Sequence, residues 1–130
     1  MILSKKIRLL PTNEQEIMFR KSAGVARWAY NYYIATCEQN YKDYQNGLRN
    51  VPYTNEGEVR KYINNTLKKT THTWLKDVSS NVMKQAVKNA DSSYRRYFQK
   101  LSNKPKFKSK HKSKYSFYQN LQEYSHLYRW

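Results

Sequence analysis

The sequence predicts an α+β fold that is mainly α, with three helices and a short strand at each end. Two long stretches place apolar residues at steps of three and four, which is the spacing of one face of an α-helix. Near both ends of the chain the residues alternate instead, as they do along a strand. The predicted divisions are a first strand within 1–11, a helical body over 12–103, and a basic strand with a C-terminal tail over 104–130.

Positive charge dominates the composition. The chain of 130 residues has 25 Lys or Arg and 9 Asp or Glu, for a formal net charge of +16. Only 24 residues are Leu, Ile, Val or Phe, and few aliphatic residues with a high charge are typical of disordered chains. However, 13 Tyr and 3 Trp supply further apolar area. We therefore expect one small, tyrosine-rich basic domain.

Several classes of protein are excluded. The sequence has no apolar run long enough to span a membrane, and its N-terminus lacks the apolar core of a signal peptide. The single Cys37 cannot form an internal disulfide and no Cys-x-x-Cys pair is present for zinc, which favours the cytoplasm. The pI of about 9.9 predicts a polyanionic partner, and hence an association with the nucleoid.

The first strand and the start of the first helix are marked by side-chain type. Ile7 and Leu9 alternate with charged neighbours until the chain meets Pro11. After the proline, Thr12 can accept a hydrogen bond from the backbone N–H three residues on, while the Gln15 side chain reaches back to the Thr12 N–H. This pair predicts a helix that begins at about residue 12.

The first helix is predicted to run to about Gln45, where Asn46 and Gly47 end it. Gly24 lies inside the helix and costs about 1 kcal/mol relative to Ala. We therefore expect either a closely packed neighbour at Gly24 or a junction of two helices. The predicted apolar face consists of Phe19, Ala23, Ala26, Tyr30, Tyr33, Cys37, Tyr41 and Tyr44.

Two further helices follow a loop over residues 48–55. The second is predicted from about Glu56 to Lys69. The third begins after Ser79, a favoured N-cap residue, and ends before Pro105. The apolar faces are Val59, Tyr62, Ile63 and Leu67 in the second helix, and Met83, Val87, Ala90, Tyr94, Tyr97 and Leu101 in the third.

The C-terminal stretch is basic and free of acids. No Asp or Glu lies between Asp91 and Glu123. Lysines occupy every second position from 104 to 114, so a strand would point all of them in one direction. Alternation over 124–130 predicts a further short strand. The basic residues of this stretch are Arg95, Arg96, Lys100, Lys104, Lys106, Lys108, Lys110, Lys112 and Lys114.

No catalytic site is predicted. His72, His111 and His126 are far apart in the sequence and form no His-x-His pair for a metal. The nine acids are scattered, whereas metal-assisted phosphodiester hydrolysis needs clustered carboxylates. Cys37 lies on an apolar helix face with no base beside it, which favours a buried thiol over a nucleophile. We therefore expect no metal and no cofactor.

Two stretches are candidates for binding nucleic acid. The alternating lysines would contact phosphates, and the aromatic residues Phe107, Tyr115, Phe117 and Tyr118 would stack on bases. The alternative is a solvated, disordered basic tail. The second stretch is the start of the third helix, whose free N–H groups favour phosphate and whose Asn81 and Gln85 could pair with adenine. The alternative there is a polar, solvent-facing helix surface.

Five segments, in order, resemble the TnpB (OrfB) proteins, the transposon-encoded, RNA-guided relatives of type V CRISPR effector nucleases. Together they cover about residues 5–118. Each segment is a short match, and their shared order makes the resemblance specific. The segments are 6–15, 24–31, 74–75 with 78–87, 94–98 and 105–110.

The resemblance implies a three-helix, helix-turn-helix-like recognition lobe inserted between strands of a small β-sheet or partial barrel. It also implies contacts to a guide RNA, to the guide–target duplex and to a short motif beside the DNA target. By position, Tyr53, Ser80 and Lys84 correspond to residues that read this motif, and we add Asn81 and Gln85. The predicted backbone contacts are Lys5, Lys6, Arg8, Arg95, Arg96, Lys100, Lys104, Lys106, Lys108, Lys110, Lys112 and Lys114.

The sequence departs from the family in one respect that bears on activity. Family members continue into an RNase-H-like nuclease domain and a zinc ribbon, and neither pattern is present in these residues. We therefore predict a non-enzymatic, transposase-associated module that binds guide RNA, double-stranded DNA or both. The alternatives are a stand-alone DNA-binding regulator, an inactive structural or oligomerising remnant, and half of a split nuclease completed by a nuclease-domain chain. The oligomeric state is left open.

Overall fold

The computed structural model describes residues 8, 10–111 and 117, which contain three α-helices and two short 3-10 helices. Helix α1 is Asn13–Gln45, α2 is Glu56–Asn65 and α3 is Ser80–Phe98. The 3-10 helices, Leu67–Lys69 and Thr73–Asp77, connect α2 to α3. The three predicted helices are thus confirmed, with α2 four residues shorter than expected.

Both ends of α1 form as the sequence predicts. Thr12 Oγ1 accepts from the Gln15 N–H at 3.2 Å, and Gln15 Oε1 accepts from the Thr12 N–H at 3.0 Å. At the other end Gly47 has φ 78°, and the Leu48 N–H donates to the Asp43 carbonyl at 2.8 Å. These are a capping box and a Schellman motif, and together they define where the helix begins and ends.

Gly24 does not lie at a junction of two helices, and no neighbouring element packs closely against it. Helix α1 continues through it without interruption. A Cβ built on Gly24 would meet only Arg27 Nη2, at 3.8 Å. Both structural reasons that the sequence suggested for this glycine are therefore wrong.

The core lies where α1, α2 and α3 meet. Asn55 caps α2 by accepting from the Gly57 and Glu58 N–H groups, and Ser79 caps α3 by accepting from the Asn81 N–H. Each helix then turns one apolar face inward. The buried cluster consists of Val25, Ala29, Tyr30, Tyr33, Ile34, Val59, Ile63, Leu67, Leu75, Val78, Val82, Met83, Ala86, Val87, Ala90 and Tyr94.

Helices α1 and α3 pack side by side and point in the same direction. Val25 and Met83 line one small cavity near the start of their contact. Further along, the Tyr33 hydroxyl donates to Asp91 Oδ1 at 2.7 Å and the Tyr33 and Tyr94 rings lie 6.4 Å apart. Because both residue numbers rise together, the helices are parallel, and α2 with the two 3-10 helices forms the connection between them.

The predicted β-sheet is not found in the described part of the chain, so a helical body inserted between strands is wrong as a description of it. Residues 104–109 are irregular and are followed by a turn at 110–111. The physical reason is that the Asn31 side chain, rather than a neighbouring strand, takes both backbone groups of Lys108. The remaining predicted strand residues lie outside the described part, within 1–7, 9, 112–116 and 118–130.

Candidate nucleic-acid interface

The basic segment, residues 104–111, is attached to α1. Asn31 Nδ2 donates to the Lys108 carbonyl at 2.8 Å, and the Lys108 N–H donates to Asn31 Oδ1 at 2.7 Å. The Lys108 ammonium lies 4.3 Å from the centre of the Tyr30 ring, a cation–π distance. This arrangement fixes the backbone of the segment at its centre.

Two more contacts set the direction of the C-terminal stretch. Lys104 Nζ lies 3.4 Å from Glu38 Oε1, and the Phe117 ring lies 6.1 Å from the Phe19 ring. From Lys104 to Phe117 the partners on α1 therefore move from residue 38 through Asn31 to Phe19. The described residues Lys104, Lys108 and Phe117 therefore contact α1 in antiparallel order.

The contacts divide the predicted phosphate-binding lysines into two sets. All four described lysines of the basic segment are exposed, as is the Phe107 ring. Lys104 and Lys108 also contact α1, through Glu38 and Tyr30, whereas Lys106 and Lys110 belong to the other set. Arg8 and Arg96 are exposed too. Phe117 packs against the core, and base stacking by its ring stays a prediction. The predicted contacts Lys5, Lys6, Lys112, Lys114, Tyr115 and Tyr118 lie outside the described residues.

Three predicted cations, Arg95, Arg96 and Lys100, lie at the C-terminal end of α3. Arg95 Nε contacts Asp91 Oδ2 at 2.9 Å, one helical turn back, while most of the Arg95 side chain is exposed. Lys100 adopts φ 62°, the left-handed conformation, and is the only described residue other than glycine with positive φ. Its N–H donates to the Tyr97 carbonyl, and the Leu101 N–H donates to the Arg96 carbonyl, both at 2.9 Å. This is a Schellman motif with Lys in the position that usually belongs to Gly.

A cleft lies beside this end of α3 and the second half of α1. Its volume is about 690 Å³, and the loop residues 52–54 form one of its walls. Exposed aromatic rings surround it, and three of the predicted cations border it. The aromatic residues are Tyr41, Tyr53, Tyr97 and Phe98, and the cations are Arg95, Lys100 and Lys104.

Two carboxylates, Glu38 and Asp91, lie on the wall of the cleft among uncharged residues. Asp91 binds Tyr33 and Arg95, and Glu38 pairs with Lys104. Burial, followed by the hydrogen bond to Asp91, raises the pKa of Tyr33 well above its ordinary value. Burial also raises the pKa of Tyr94 to about 12 and raises the pKa of the Cys37 thiol. These groups are therefore neutral at physiological pH.

The predicted motif-reading residues fall at two places. Ser80, Asn81, Lys84 and Gln85 lie on the first turns of α3, all half-buried, with Gln85 Nε2 donating to Asn89 Oδ1 at 3.0 Å. Tyr53 lies beside the cleft at the other end of the helix. With a rise of about 1.5 Å per residue, roughly 20 Å of helix separates Ser80 from Arg95 in the cleft. The structure thus brings Tyr53 together with the basic residues and not with Ser80.

An aromatic cluster that the sequence did not predict joins α1 to the second 3-10 helix. The Trp28 ring centre lies 5.2 Å from Tyr32, 5.0 Å from His72 and 5.4 Å from Trp74. Trp74 is 43% exposed. Spacing could have indicated the Trp28–Tyr32 pair, which is one helical turn apart, but nothing local predicted that His72 and Trp74 would reach it.

Other kinds of site are not found among the described residues. No group of three or more His, Cys, Asp or Glu there could hold a metal ion. None of their helices is both long enough and apolar enough to cross a membrane.

Comparison with known proteins identifies the chain's relatives. The family HTH_OrfB_IS605, described as a helix-turn-helix domain, matches residues 1–46. An Escherichia coli (strain K12) protein, named "Putative RNA-guided DNA endonuclease InsQ", is 29% identical over 105 residues. The alignment covers 81% of this chain and 25% of that protein, so the chain spans about a quarter of its relative's length.

The family match and the geometry agree on the kind of partner. Within the matched range, residues 13–45 form one uninterrupted helix, so the described residues there contain no second helix. A helix-turn-helix domain nevertheless indicates nucleic-acid binding, in keeping with the basic segment packed on that helix. Both matches confirm the predicted resemblance of the chain to the N-terminal region of the TnpB/OrfB proteins.

Proposed function

We propose that this chain is a nucleic-acid-binding module that contacts the backbone of guide RNA, target DNA or both. The observation that carries the proposal is the basic segment fixed on α1 through Asn31. A fixed segment holds exposed lysines in place before binding, so less conformational entropy is lost when phosphates arrive.

The cations that remain exposed have the chemistry that phosphates require. Lys106 and Lys110 on the segment, and Arg96 at the end of α3, extend into solvent. The stretch between Asp91 and Glu123 has no Asp or Glu of its own. Each phosphate that these cations contact would release bound counterions, which favours association at low salt.

The relative's name suggests which nucleic acids to consider. It describes an RNA-guided DNA endonuclease, so both RNA and DNA are candidate partners for this chain. The proposed partner also favours the predicted location, in the cytoplasm with the nucleoid. A nuclease-domain chain remains a candidate protein partner.

We propose further that these residues bind without cutting. A metal-dependent nuclease needs carboxylates that converge on a cation. Here Glu16, Glu56 and Asp91 each pair with the arginine four residues on, and Glu38 pairs with Lys104. Plasmid DNA incubated with the chain, Mg²⁺ and Mn²⁺ should stay intact, and nicking that tracks with the purified protein would contradict this part of the proposal.

The salt dependence of binding tests the main proposal. We expect the affinity for a labelled 20-base-pair duplex, measured by fluorescence anisotropy, to fall steeply with salt. The triple variant Arg96→Ala, Lys106→Ala, Lys110→Ala should lower the slope of log K against log salt by about 2 to 3 units, since each phosphate contact contributes about 0.7 to 0.9.

A charge-matched variant is the control. Lys61→Ala, Lys69→Ala, Lys76→Ala removes three exposed lysines from α2 and the 3-10 helices and changes the net charge equally. Equal slopes for the two triple variants would show that net charge alone attracts nucleic acid and would overturn the proposed interface. Competition between a structured RNA and duplex DNA then distinguishes a guide-RNA holder from a stand-alone DNA-binding regulator.

A further inference from the structure

The cleft between the C-terminal halves of α1 and α3 has the dimensions of a ligand site. Its volume of about 690 Å³ lies within the range of about 300 to 1,000 Å³ typical of such sites. Lys104 is the one residue of the basic segment that lines the cleft. The exposed Lys106, Phe107 and Lys110 of that segment do not line it. Its chemistry therefore calls for an explanation beyond backbone binding.

The rings around the cleft are exposed to an unusual degree for large side chains. Phe98 is 68% exposed, Tyr53 63% and Tyr41 50%. Single exposed apolar side chains scattered over a surface are ordinary, whereas several exposed rings around one opening indicate a binding surface. Flat aromatic faces are the groups on which unpaired bases stack, whatever their sequence.

Cations border the same opening. Lys104 reaches Glu38 across 3.4 Å, and Asp91 holds Arg95 by its Nε, which leaves the rest of the guanidinium exposed. Lys100 keeps the left-handed conformation at a position where Gly is the favoured residue. A strained residue retained beside a cleft points to a role there, and a cation in that position can meet a phosphate.

One buried hydroxyl on the wall has no hydrogen-bond partner among the described residues. Tyr94 lines the cleft and is only 7% exposed, yet its hydroxyl forms no hydrogen bond with the residues that the structure describes. Buried hydroxyls nearly always have a partner, so this hydroxyl is a candidate contact for a ligand in the cleft. A neutral hydroxyl can both donate to and accept from a base edge.

From this combination we propose that the cleft receives one unpaired nucleotide of a bound nucleic acid. Its base stacks among Tyr41, Tyr53 and Phe98, and its phosphates lie against the cations at the opening. The inference rests on the proposed function, because the rest of the strand is held by the basic surface.

The experiment compares two labelled DNA duplexes that differ by a single unpaired 2-aminopurine in the middle of one strand. The chain should bind the bulged duplex about tenfold more tightly than the fully paired one, since stacking of one base contributes about that factor. Emission from 2-aminopurine should change on binding. Phe98→Ala should bring the ratio of the two affinities close to one, whereas Tyr62→Ala, an exposed tyrosine on α2, should leave it unchanged.

The outcomes separate the two proposals. Equal affinity of the unaltered chain for both duplexes, with binding intact, overturns the nucleotide site and leaves the proposed function standing. Failure to bind either duplex or a structured RNA overturns both. Adenosine monophosphate serves as a competitor: if it saturates the cleft at micromolar concentration and the bulge confers no advantage, the site takes free nucleotides and the strand-bound version is wrong.

Discussion

At the scale of single residues, Lys100 and Gly47 occupy the same position in two copies of one motif. Each follows the last residues of a helix, has positive φ and donates its N–H to a carbonyl of the last turn. Gly has no Cβ and adopts this conformation freely, whereas Lys does so at a cost of about 1 to 2 kcal/mol. The motif therefore tolerates a lysine at the end of α3 without favouring it.

Exchanging the residues between the two motifs tests this interpretation. Lys100→Gly should raise the free energy of unfolding by about 0.5 to 1 kcal/mol, since relief of strain exceeds the greater flexibility of Gly in the unfolded chain. Gly47→Lys should lower it by about 1 kcal/mol. Urea denaturation followed by circular dichroism measures both, and a destabilising Lys100→Gly would mean that the lysine side chain makes a stabilising contact.

Tyr94 and Tyr33 predict how stability responds to alkaline pH. Burial raises the pKa of Tyr94 to about 12 and that of Tyr33 further still, whereas tyrosines of the unfolded chain titrate near 10. Above pH 10 the unfolded chain loses these protons while the folded chain keeps them. The free energy of unfolding therefore falls as the pH rises. Stability should be complete below pH 10 and fall as the pH rises toward 12.

Two conservative variants separate the tyrosines. Tyr94→Phe should leave neutral-pH stability equal or raise it by up to about 1 kcal/mol, because the lost hydroxyl had no described partner, and it should weaken the alkaline decline. Tyr33→Phe should cost about 1 to 3 kcal/mol at neutral pH, because it removes a donor to Asp91. Urea denaturation at pH 7 to 11 checks both, and an unaltered alkaline decline in Tyr94→Phe would contradict the assignment.

At the scale of elements, α1 is longer than the body it supports. Its 33 residues extend about 50 Å, and the core contacts concentrate between Ser22 and Ile34. The apolar face predicted from spacing continued to Tyr41 and Tyr44, which are exposed, as is part of Phe19. Spacing reveals which residues share a face, but the length of the partner helix decides how much of that face is covered.

Gly24 offers a prediction about α1 as a whole. A Cβ at this position would have only Arg27 Nη2 nearby, at 3.8 Å, so Gly24→Ala should raise the free energy of unfolding by about 1 kcal/mol through helix propensity alone. Gly57→Ala is the control, because its Cβ would lie 3.2 Å from the Asn55 oxygen that caps α2. That variant should gain less or lose stability, and thermal unfolding of both checks the contrast.

The elements that the sequence predicted correctly are those with local causes. Thr12 with Gln15, Gly47 and Ser79 set helix boundaries through neighbours within a few residues. The predicted strands depended on partners distant in sequence. Alternation of Lys and aromatic residues does not specify whether the neighbouring element of that segment is a strand or a helix. Asn31 supplies the hydrogen bonds for Lys108 from 77 positions away, which no pattern around 108 could reveal.

The same distinction holds for the candidate site. The sequence alone shows that Arg95, Lys100 and Lys104 belong to a basic stretch, and these residues border the cleft. Tyr41 and Tyr97 were expected in the core because they continue apolar stripes, yet both are exposed beside the cleft. Only the parallel packing of α1 and α3 brings their ends together, and that arrangement follows from the tertiary fold.

At the scale of the whole molecule, two electrostatic effects oppose each other. The ion pairs of the described residues favour the fold, but those with exposed partners contribute only about 0.3 to 0.5 kcal/mol each, and salt weakens them. The net charge of +16 opposes compaction. Two like charges about 20 Å apart in water repel by about 0.2 kcal/mol. A net charge of +16 corresponds to on the order of a hundred such pairs of positive charges.

Repulsion should therefore outweigh the ion pairs at low ionic strength. We expect the free energy of unfolding to rise by more than about 1 kcal/mol as NaCl increases from 10 to 150 mM, because the screening length shortens from about 30 Å to about 8 Å. A polyanion should stabilise further by binding the folded state. Urea denaturation at each salt concentration measures the effect, since urea is uncharged. A stability that falls with salt would mean that attractive pairs dominate, and that the excess charge is spread too widely to form the concentrated basic surface proposed for nucleic acid.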